Sequence, residues 1–223
     1  MPGVLYMVAT PIGNLGDISA RAQEILGAVS FIACEDTRVT KKLLLHLSLS
    51  QELVSLHHHT PPSQVRKIVD RIASGVDAAY VSDAGTPGLA DPGGKLVAAA
   101  SAAGIKVVPI PGPSAAVAAL SVAGLPANAY LFLGYPPHKK GRQKFFKEVA
   151  ESKPTVVIFE STHRILKTLR ELAQAIEQRP VVVARELTKM YETIYRGSAQ
   201  DIIKQLESSS TKGELVIVVS PRK

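Results

Sequence analysis

Residues 65–87 read VRKIVDRIASGVDAAYVSDAGTP, and this stretch decides the fold. Four apolar side chains fall at i, i+3, i+4 and i+7, which predicts an amphipathic helix with one buried face. They are Val65, Ile68, Val69 and Ile72. Gly75 ends this helix, and the apolar run at residues 78–81 predicts a short buried strand. A loop rich in glycine and proline follows at residues 82–94, so the stretch predicts one helix–strand unit of an α/β fold.

The same alternation extends outward through the first half of the chain. Asp17 is the expected N-cap of a helix that follows the first strand. A later helix is expected to bury Val39, Leu43 and Leu44, and another covers residues 95–103. Strands separated by helices favour mostly parallel pairing with right-handed crossovers. The strands are predicted at residues 4–9, 31–34, 53–56, 78–81 and 106–110.

Three prolines interrupt the pattern at residues 109–113, which read PIPGP. Prolines spaced so closely cannot continue a central strand or a helix. We therefore place a domain boundary here, between an N-terminal α/β domain at residues 1–112 and a C-terminal α/β domain at residues 113–223. The second domain repeats the alternation. Its strands are predicted at residues 130–133, 155–159, 181–184, 193–196 and 214–219, and its helices at 114–122, 142–151, 162–176 and 198–206.

Composition sets limits on the class of protein. Hydrophobic residues make up 46% and charged residues 20% of the 223 residues, which is typical of a globular chain rather than a disordered one. The single cysteine, Cys34, excludes an internal disulfide framework and fits a reducing compartment. No segment is apolar for long enough to span a membrane, and the N-terminus does not resemble a signal peptide, so we expect a cytoplasmic protein. The net charge of +7 favours polyanionic partners.

Four loops of unusual composition follow predicted strands. In open α/β sheets, ligands bind beyond the carboxyl ends of the strands. Glycine lets a backbone approach a ligand closely, and proline stiffens that approach. We therefore expect these loops to share a ligand site, although the chain has neither a G-x-G-x-x-G motif nor a P-loop. The loops are at residues 10–14, 82–87, 111–115 and 132–137.

Charged residues and histidines suggest further contacts. Asp36 stands where a helix should start, so it is either a helix cap or a functional acid, while Arg38 suits a bidentate phosphate contact. Of the histidines at 57–59, at most His57 and His59 share a face of a strand, and no metal site is expected. The basic run at residues 138–144 precedes two phenylalanines, Phe145 and Phe146, that we expect in the core. Its cations are expected to bind RNA phosphates; three further residues, Arg164, Arg185 and Lys189, either join that surface or stay solvated.

An ordered set of motifs resembles one known family. The motifs are residues 8–19 (VATPIGNLGDIS), 34–38 (CEDTR), 81–93 (VSDAGTPGLADPG), 108–115 (VPIPGPSA), 132–136 (FLGYP), 160–165 (ESTHRI), 184–189 (ARELTK) and 213–216 (GELV). Together they cover nearly the whole chain. They resemble the small-subunit ribosomal RNA cytidine 2′-O-methyltransferases of the tetrapyrrole methylase superfamily.

The resemblance implies a fold, a cofactor and a substrate. The fold is the two-domain tetrapyrrole-methylase-like α/β fold of class III methyltransferases, with mixed sheets flanked by helices. S-adenosyl-L-methionine is expected in the cleft between the domains, and the chain is expected to form a homodimer. The implied reaction methylates the ribose 2′-hydroxyl of a decoding-site cytidine in 16S rRNA of the small ribosomal subunit. The residues expected to line the donor pocket are Pro11, Ser82, Asp83, Ala84, Gly85, Thr86, Pro87, Ser114, Ala115, Leu133 and Gly134.

The chain departs from the family pattern at two places. Family members often carry H-x-H-N where this chain has residues 57–60, HHHT. Many members also extend past the strand at residues 214–219 into a small helical region. This chain ends at Lys223, so part of the expected RNA-binding surface is either absent or supplied by a partner.

A ribose hydroxyl needs a general base to become a good nucleophile, whereas positioning supplies much of the remaining rate. The candidate bases, unranked, are Asp36, Glu35, Asp83 and Glu186. The candidate phosphate contacts are Arg38, Arg142, Lys144 and Arg164. Two rival functions stay open: a tetrapyrrole C-methyltransferase of the uroporphyrinogen or precorrin type, and a non-catalytic RNA-binding module. The stretches PIGN, SDAGTP and ESTHR favour RNA over a tetrapyrrole.

Overall fold

The first of two folded units, Met1–Ser114, is built on a five-stranded sheet in which every pairing is parallel. The computed structural model describes residues 1–222, and its second unit begins at Ala115. The strands of the first unit are β1 (Val4–Val8), β2 (Phe31–Cys34), β3 (Glu52–Ser55), β4 (Ala78–Val81) and β5 (Lys106–Ile110). Their order across the sheet is β3-β2-β4-β1-β5, which confirms the predicted parallel pairing in this half.

Helices cover both faces of this sheet. They are α1 (Ala20–Ala28), α2 (Thr37–His46), α3 (Pro62–Ala73) and α4 (Gly93–Ala102). Alternate residues of β2 point to opposite faces: Phe31 packs with the side chains of α3 and α4, whereas Ile32 packs with those of α1 and α2. Because both faces are covered, β2 and β4 are buried along their whole length. Pro109 fits within β5 because β5 lies at the edge of the sheet.

Two local predictions in this unit are wrong. Ser19, not Asp17, is the N-cap of α1, and its side chain accepts a hydrogen bond from the backbone of Ala22. Asp17 instead belongs to a 3-10 turn that is capped by Asn14, so the chain makes an extra turn before α1 begins. In α2, Val39 is 39% exposed, and the buried stripe is Thr40, Leu43 and Leu44. These three residues are spaced i, i+3 and i+4, and the polar character of threonine concealed the stripe.

The second unit contains a mixed sheet. Its strands are β6 (Tyr130–Phe132), β7 (Thr155–Ser161), β8 (Val181–Arg185), β9 (Thr193–Gly197) and β10 (Glu214–Val219), in the order β6-β7-β10-β8-β9. Only β6 and β7 pair in parallel; β10 lies antiparallel between β7 and β8, and β9 pairs antiparallel with β8. The two-sheet α/β fold implied by the resemblance is confirmed, although only this second sheet is mixed, and the predicted parallel pairing holds for the first sheet alone.

The helices of the second unit are α5 (Ala115–Ala123), α6 (Arg142–Glu151), α7 (Ile165–Ala175) and α8 (Ala199–Ser208). Helix α7 begins three residues later than predicted. Thr162 exchanges hydrogen bonds of 2.7 Å with the carbonyl and the N–H of Gly213, which holds residues 162–164 in a turn. Phe145 and Phe146 are buried in the core against β7 and α7, as predicted. Across residues 1–222, no helix combines the length and the apolar character that crossing a membrane requires.

Candidate active site

Two of the predicted loops are joined at the carboxyl edge of the first sheet. Because every strand of this sheet runs in the same direction, the loops after β1 and β4 leave from the same edge. The N–H of Thr10 donates to the carbonyl of Gly85 at 3.0 Å, and the N–H of Gly85 donates back to Thr10 at 3.1 Å. The hydroxyl of Ser82 lies within the same turn, against the carbonyls of Ala84 and Gly85. The predicted convergence of these two loops is therefore present.

The loop after β5 joins them. The hydroxyl of Thr86 donates to the carbonyl of Pro113 at 2.9 Å. At Gly112 an added Cβ would approach the Cβ of Ala9 to 3.0 Å, so a larger residue would push the two loops slightly apart. Gly85 adopts a φ of +82°, a conformation that side chains other than glycine rarely adopt. Three loops of the first unit thus form one rigid, proline- and glycine-rich edge that includes Pro11, Pro87 and Ser114.

The remaining predicted donor residues lie in the second unit. Leu133 and Gly134 continue past β6 along β7, because the N–H of Leu133 donates to Val157 at 3.0 Å and that of Phe159 to Gly134 at 2.9 Å. Gly134 has a φ of +64°, and no heavy atom lies within 4 Å of where its Cβ would be. Ala115 is the first residue of α5. These positions therefore present backbone rather than long side chains.

The chemistry of these loops fits a sulfonium donor. None of the predicted donor-binding residues is cationic, and Asp83 carries a negative charge, so the loops do not repel a positively charged ligand. A cavity of about 150 Å³ opens beside them. Thr10, Pro11, Ser82 and Asp83 line it together with side chains of α2, which include one cation, Lys42. Ligand sites usually measure about 300–1,000 Å³, so this cavity is smaller than a typical ligand site.

Asp36 acts as the N-cap of α2. Its side chain accepts the N–H of Arg38 at 2.8 Å and forms an ion pair of 2.6 Å with the guanidinium of the same residue. The hydrogen bonds from Arg38 lower the pKa of Asp36 to about 2. A carboxylate held so firmly in its charged form is a weak base, so the geometry supports the cap rather than the functional acid.

Asp83 and Glu35 differ from Asp36 because their pKa values are raised. Partial burial raises the pKa of Asp83, and the charge of Asp36 adds to this effect, although the N–H of Asp36 donates to Asp83 at 2.9 Å and lowers it. Burial also raises the pKa of Glu35, helped by repulsion from Asp83 and Asp91. The backbone N–H of Asp83 donates to Glu35, so the two carboxylates link the loops after β2 and β4. Both are better proton acceptors than Asp36.

Glu186, the fourth candidate base, is tied to its surroundings. Its carboxylate accepts the amine of Lys189 and the N–H of Glu214, both at 2.9 Å. Burial acts to raise the pKa of Glu186, but these hydrogen bonds and the charge of Lys189 outweigh it and leave the pKa below its usual value. Glu186 therefore braces the start of the loop after β8 and is poorly suited to accept a proton.

Two predicted phosphate contacts turn out to be internal. The guanidinium of Arg142 is buried and donates to Glu171 at 2.8 Å, to the carbonyl of Pro137 at 2.9 Å and to the hydroxyl of Thr168 at 2.7 Å. Arg164 likewise pairs with the buried carboxylate of Glu160 at 2.8 Å. Because these charges are already satisfied within the fold, the geometry favours a structural role for both arginines over the predicted RNA contact.

The other two predicted phosphate contacts stay accessible. The side chain of Arg38 is 86% exposed even though it pairs with Asp36, and Lys144 is exposed on α6. A cation in this situation can exchange its solvent shell for a phosphate at little cost. These two residues therefore remain candidates for RNA contact.

The histidines at 57–59 do not lie on a strand as assumed. They form a turn after β3, in which the N–H of His59 donates to Nδ1 of His57 at 3.2 Å and the N–H of His57 to the hydroxyl of Thr60 at 2.8 Å. Strand β3 ends at Ser55, so the alternation argument does not apply. Within residues 1–222, no three side chains of His, Cys, Asp or Glu are grouped as metal ligands.

Comparison with known proteins places this geometry in context. Residues 4–203 match the family model of the tetrapyrrole (corrin/porphyrin) methylases. A protein of Xylella fastidiosa named ribosomal RNA small subunit methyltransferase I is 47% identical over 98% of this chain and 81% of its own length. A protein of the same name from Hydrogenobaculum is 45% identical over 97% of this chain and 95% of its own length.

Solved structures agree on the fold. A cobalt precorrin-4 methyltransferase superposes with a TM-score of 0.72 at 18% identity, covering 97% of this chain and 94% of that structure. A diphthine synthase superposes with a TM-score of 0.75 at 15% identity, covering 98% of this chain and 90% of that structure. At such low identity these structures establish the fold alone.

Proposed function

Because the chain belongs to the tetrapyrrole (corrin/porphyrin) methylase family, among the ribosomal RNA small subunit methyltransferases I, we propose that it transfers the methyl group of S-adenosyl-L-methionine to a ribose 2′-hydroxyl of 16S rRNA. The observation that carries the proposal is the edge where three loops of the first unit meet beside Asp83 and Glu35, two carboxylates whose pKa values are raised. Such an edge offers backbone groups to a donor and a base to a hydroxyl.

The donor, when bound, would supply an electrophilic methyl group on a sulfonium cation, and its sulfur would keep the electron pair of the broken carbon–sulfur bond as a neutral thioether. On the protein side, the loops at Thr10 and Gly85 and the Thr86–Pro113 hydrogen bond hold a fixed backbone surface for it. We assign Asp83 the role of general base: its carboxylate accepts the proton of the ribose 2′-hydroxyl as the oxygen forms its bond to the methyl carbon. Glu35 positions Asp83 by accepting its backbone N–H, while partial burial and the charge of Asp36 keep the proton affinity of Asp83 high.

The two rivals are less well supported. The relatives at 42–47% identity share the rRNA methyltransferase name, which favours RNA over a tetrapyrrole substrate. A non-catalytic RNA-binding module would not require three glycine- and proline-rich loops to converge. We further propose, following the resemblance, that the target is a decoding-site cytidine, that the chain works in the cytoplasm and that it acts as a homodimer.

Methyl transfer to the small ribosomal subunit tests this function directly. We expect tritium from labelled S-adenosyl-L-methionine to enter the RNA of isolated small subunits that lack the modification. Nuclease mapping should place the label on a single ribose, in a dinucleotide that resists alkaline hydrolysis because its 2′-oxygen is blocked. Label on a base, or transfer to a tetrapyrrole but not to RNA, would contradict the proposal.

Arg38→Glu should weaken RNA binding and leave donor binding intact. The side chain is 86% exposed, so the substitution replaces a phosphate-attracting cation by a repelling carboxylate at the surface. We expect the slope of log K against log salt to fall by about one. Lys106→Glu is the matched control, because it makes the same charge change on an exposed residue at the opposite, amino edge of the sheet. Equal loss of RNA and donor affinity in calorimetry would contradict a phosphate contact by Arg38.

A further inference from the structure

The loop between β8 and β9 adopts a strained conformation that is held from several sides. Glu186 and Thr188 have φ values of +52° and +66°, in the left-handed region that residues other than glycine rarely adopt. Lys189 bridges Glu186 at 2.9 Å and Glu214 at 3.1 Å, and Glu192 accepts the N–H of Thr188 at 2.6 Å. Strain of this kind persists only where the surroundings enforce it, and it concentrates at ligand sites.

Arg185, the last residue of β8, is a buried cation that interacts with the charge of Glu186 but forms no ion pair with it. Only 9% of the residue is exposed, and its Nη1 donates to the carbonyl of Tyr191 at 2.9 Å. Within residues 1–222, its Nε is buried without a hydrogen-bond partner, and no carboxylate lies within ion-pair distance of its guanidinium. Buried arginines are normally paired, as Arg142 is in the same unit, so this one points to an anionic ligand.

A cavity of about 550 Å³ adjoins Arg185. This volume lies within the range of small-ligand sites and is large enough for one nucleotide. Hydroxyl and amide groups complete its polar lining: Thr193, Gln205, Ser208 and Ser209. Glu192 also reaches the cavity, but its carboxylate is occupied by the N–H of Thr188.

Two large side chains stand exposed at the mouth of this cavity. Tyr191 is 69% exposed and Met190 is 89% exposed, although both types usually bury most of their surface. An exposed aromatic ring next to an unpaired arginine is the combination with which proteins hold single-stranded RNA. The ring stacks on a base and the guanidinium forks onto a phosphate.

We propose that this cavity, lined by Arg185 and Tyr191, binds one unpaired nucleotide of the RNA substrate, with its phosphate on Arg185 and its base stacked on Tyr191. The inference rests on the proposed function and adds to it a recognition site on the β8–β9 loop. A flexible acidic peptide would satisfy the arginine but would offer no flat ring to stack on Tyr191. A tetrapyrrole carboxylate could do both, but the relatives at 42–47% identity carry the name of an rRNA methyltransferase, so we favour RNA.

A fluorescent reporter placed on the loop tests the stacking. The chain contains no tryptophan, so Tyr191→Trp introduces a single indole at the proposed platform. We expect a single-stranded RNA of about twelve nucleotides with a central cytidine to quench this indole as it binds. Tyr130→Trp is the matched control: Tyr130 is 44% exposed and lies on β6, at the opposite edge of the same sheet. Equal quenching of both variants, or of neither, would overturn the proposal.

Affinity measurements provide a second, independent test. Tyr191→Ala should weaken binding of the same RNA by roughly tenfold, the usual scale for losing one stacked base, and Tyr191→Phe should restore most of the affinity because it keeps the ring. Because Tyr191 is exposed, we expect both variants to fold like the unchanged chain, and thermal unfolding checks this. Arg185→Gln should lower the slope of log K against log salt by about one, which corresponds to the loss of one phosphate contact.

Donor binding separates this inference from the function on which it rests. Calorimetry with S-adenosyl-L-methionine should give the same affinity for the unchanged chain and for Tyr191→Ala. If Tyr191→Ala binds RNA as well as the unchanged chain does, the nucleotide site is overturned while the methyltransferase function stands. If the unchanged chain neither binds the RNA nor methylates small subunits, both are overturned. Tight binding of a tetrapyrrole carboxylate instead of RNA would also overturn the site.

Discussion

Replacing Glu160 with alanine is expected to lower the free energy of unfolding by about 3–5 kcal/mol, the usual effect of removing one partner from a buried ion pair. The side chain of Glu160 is fully buried at the end of β7. One carboxylate oxygen accepts Arg164 at 2.8 Å and the N–H of Ser161 at 2.7 Å, and the other accepts the hydroxyl of Thr168 at 2.5 Å. Alanine would leave a largely buried guanidinium and a buried hydroxyl without their acceptor.

The loss should propagate to the rest of this network. Thr168 also accepts the guanidinium of Arg142, which packs 5.0 Å from the ring centroid of Phe146 and pairs with Glu171 at 2.5 Å. Helices α6 and α7 are therefore tied to β7 through one chain of charged hydrogen bonds. Networks of this kind are strongly destabilised when only part of them is removed.

Glu207→Ala is the matched control for Glu160→Ala. Glu207 forms an ion pair with Arg170 at 3.0 Å, but both side chains are about half exposed, so we expect a change below about 1 kcal/mol. Urea unfolding followed by circular dichroism measures both variants against the unchanged chain. Similar urea midpoints for the two variants would show that the buried network around Glu160 contributes no more to the stability of the fold than an exposed ion pair does.

Much of the fold was predictable because its central strands are continuous apolar runs bounded by glycine, proline or polar residues. Strands β2, β4, β5 and β10 and helix α6 begin and end at the predicted residues. In these elements local spacing and tertiary burial agree, so reading the pattern is enough. The antiparallel position of β10 between β7 and β8 could not be predicted from the sequence, because strand pairing depends on contacts between residues far apart in the chain.

The candidate site was predictable in one respect and not in another. The convergence of the loops after β1, β4 and β5 follows from strand direction and from the glycines and prolines that the sequence displays. The role of each charged residue does not follow from the sequence, because whether an arginine is buried depends on carboxylates in other parts of the fold. Arg142 finds Glu171 on another helix, and Arg164 finds Glu160 at the end of a strand. The spacing of four residues between Glu160 and Arg164 is no guide, because Glu160 lies on a strand and the i,i+4 rule applies to helices.

The β8–β9 loop shows a further limit of the sequence. Arg185 and Lys189 look alike there as cations near a strand end. The structure separates them, because Lys189 pairs with two glutamates, while Arg185 has no ion pair within the described residues. Only the positions of acceptors in space distinguish a structural cation from one that awaits a ligand.

Asp83→Asn is expected to reduce the rate of methyl transfer by about 10²- to 10⁴-fold, the typical contribution of a general base. Asparagine retains the oxygen that accepts the N–H of Asp36 at 2.9 Å, so the loop should keep its conformation. What it loses is the ability to accept the proton of the ribose hydroxyl. Single-turnover transfer from labelled donor to small subunits measures the chemical step apart from binding.

The pH dependence of the rate gives an independent check on the base. Burial and the charge of Asp36 raise the pKa of Asp83 above 3.8, and only the deprotonated form can accept a proton. The rate of the unchanged chain should therefore rise with pH through that raised pKa and then level off. The Asp83→Asn variant should show only a small residual rate without this rise.

Asp83→Asn should lower the rate of methyl transfer without lowering the stability of the fold. A carboxyl whose pKa is raised on folding destabilises the folded state as pH rises from its unfolded pKa through its folded one. Asp83→Asn removes that effect, so the variant should be as stable as the unchanged chain at neutral pH, or slightly more stable. Asp70→Asn, on an exposed carboxylate of α3, controls for loss of charge alone and should leave the rate unchanged. A large loss of rate in Glu35→Gln with full activity in Asp83→Asn would transfer the role of base to Glu35.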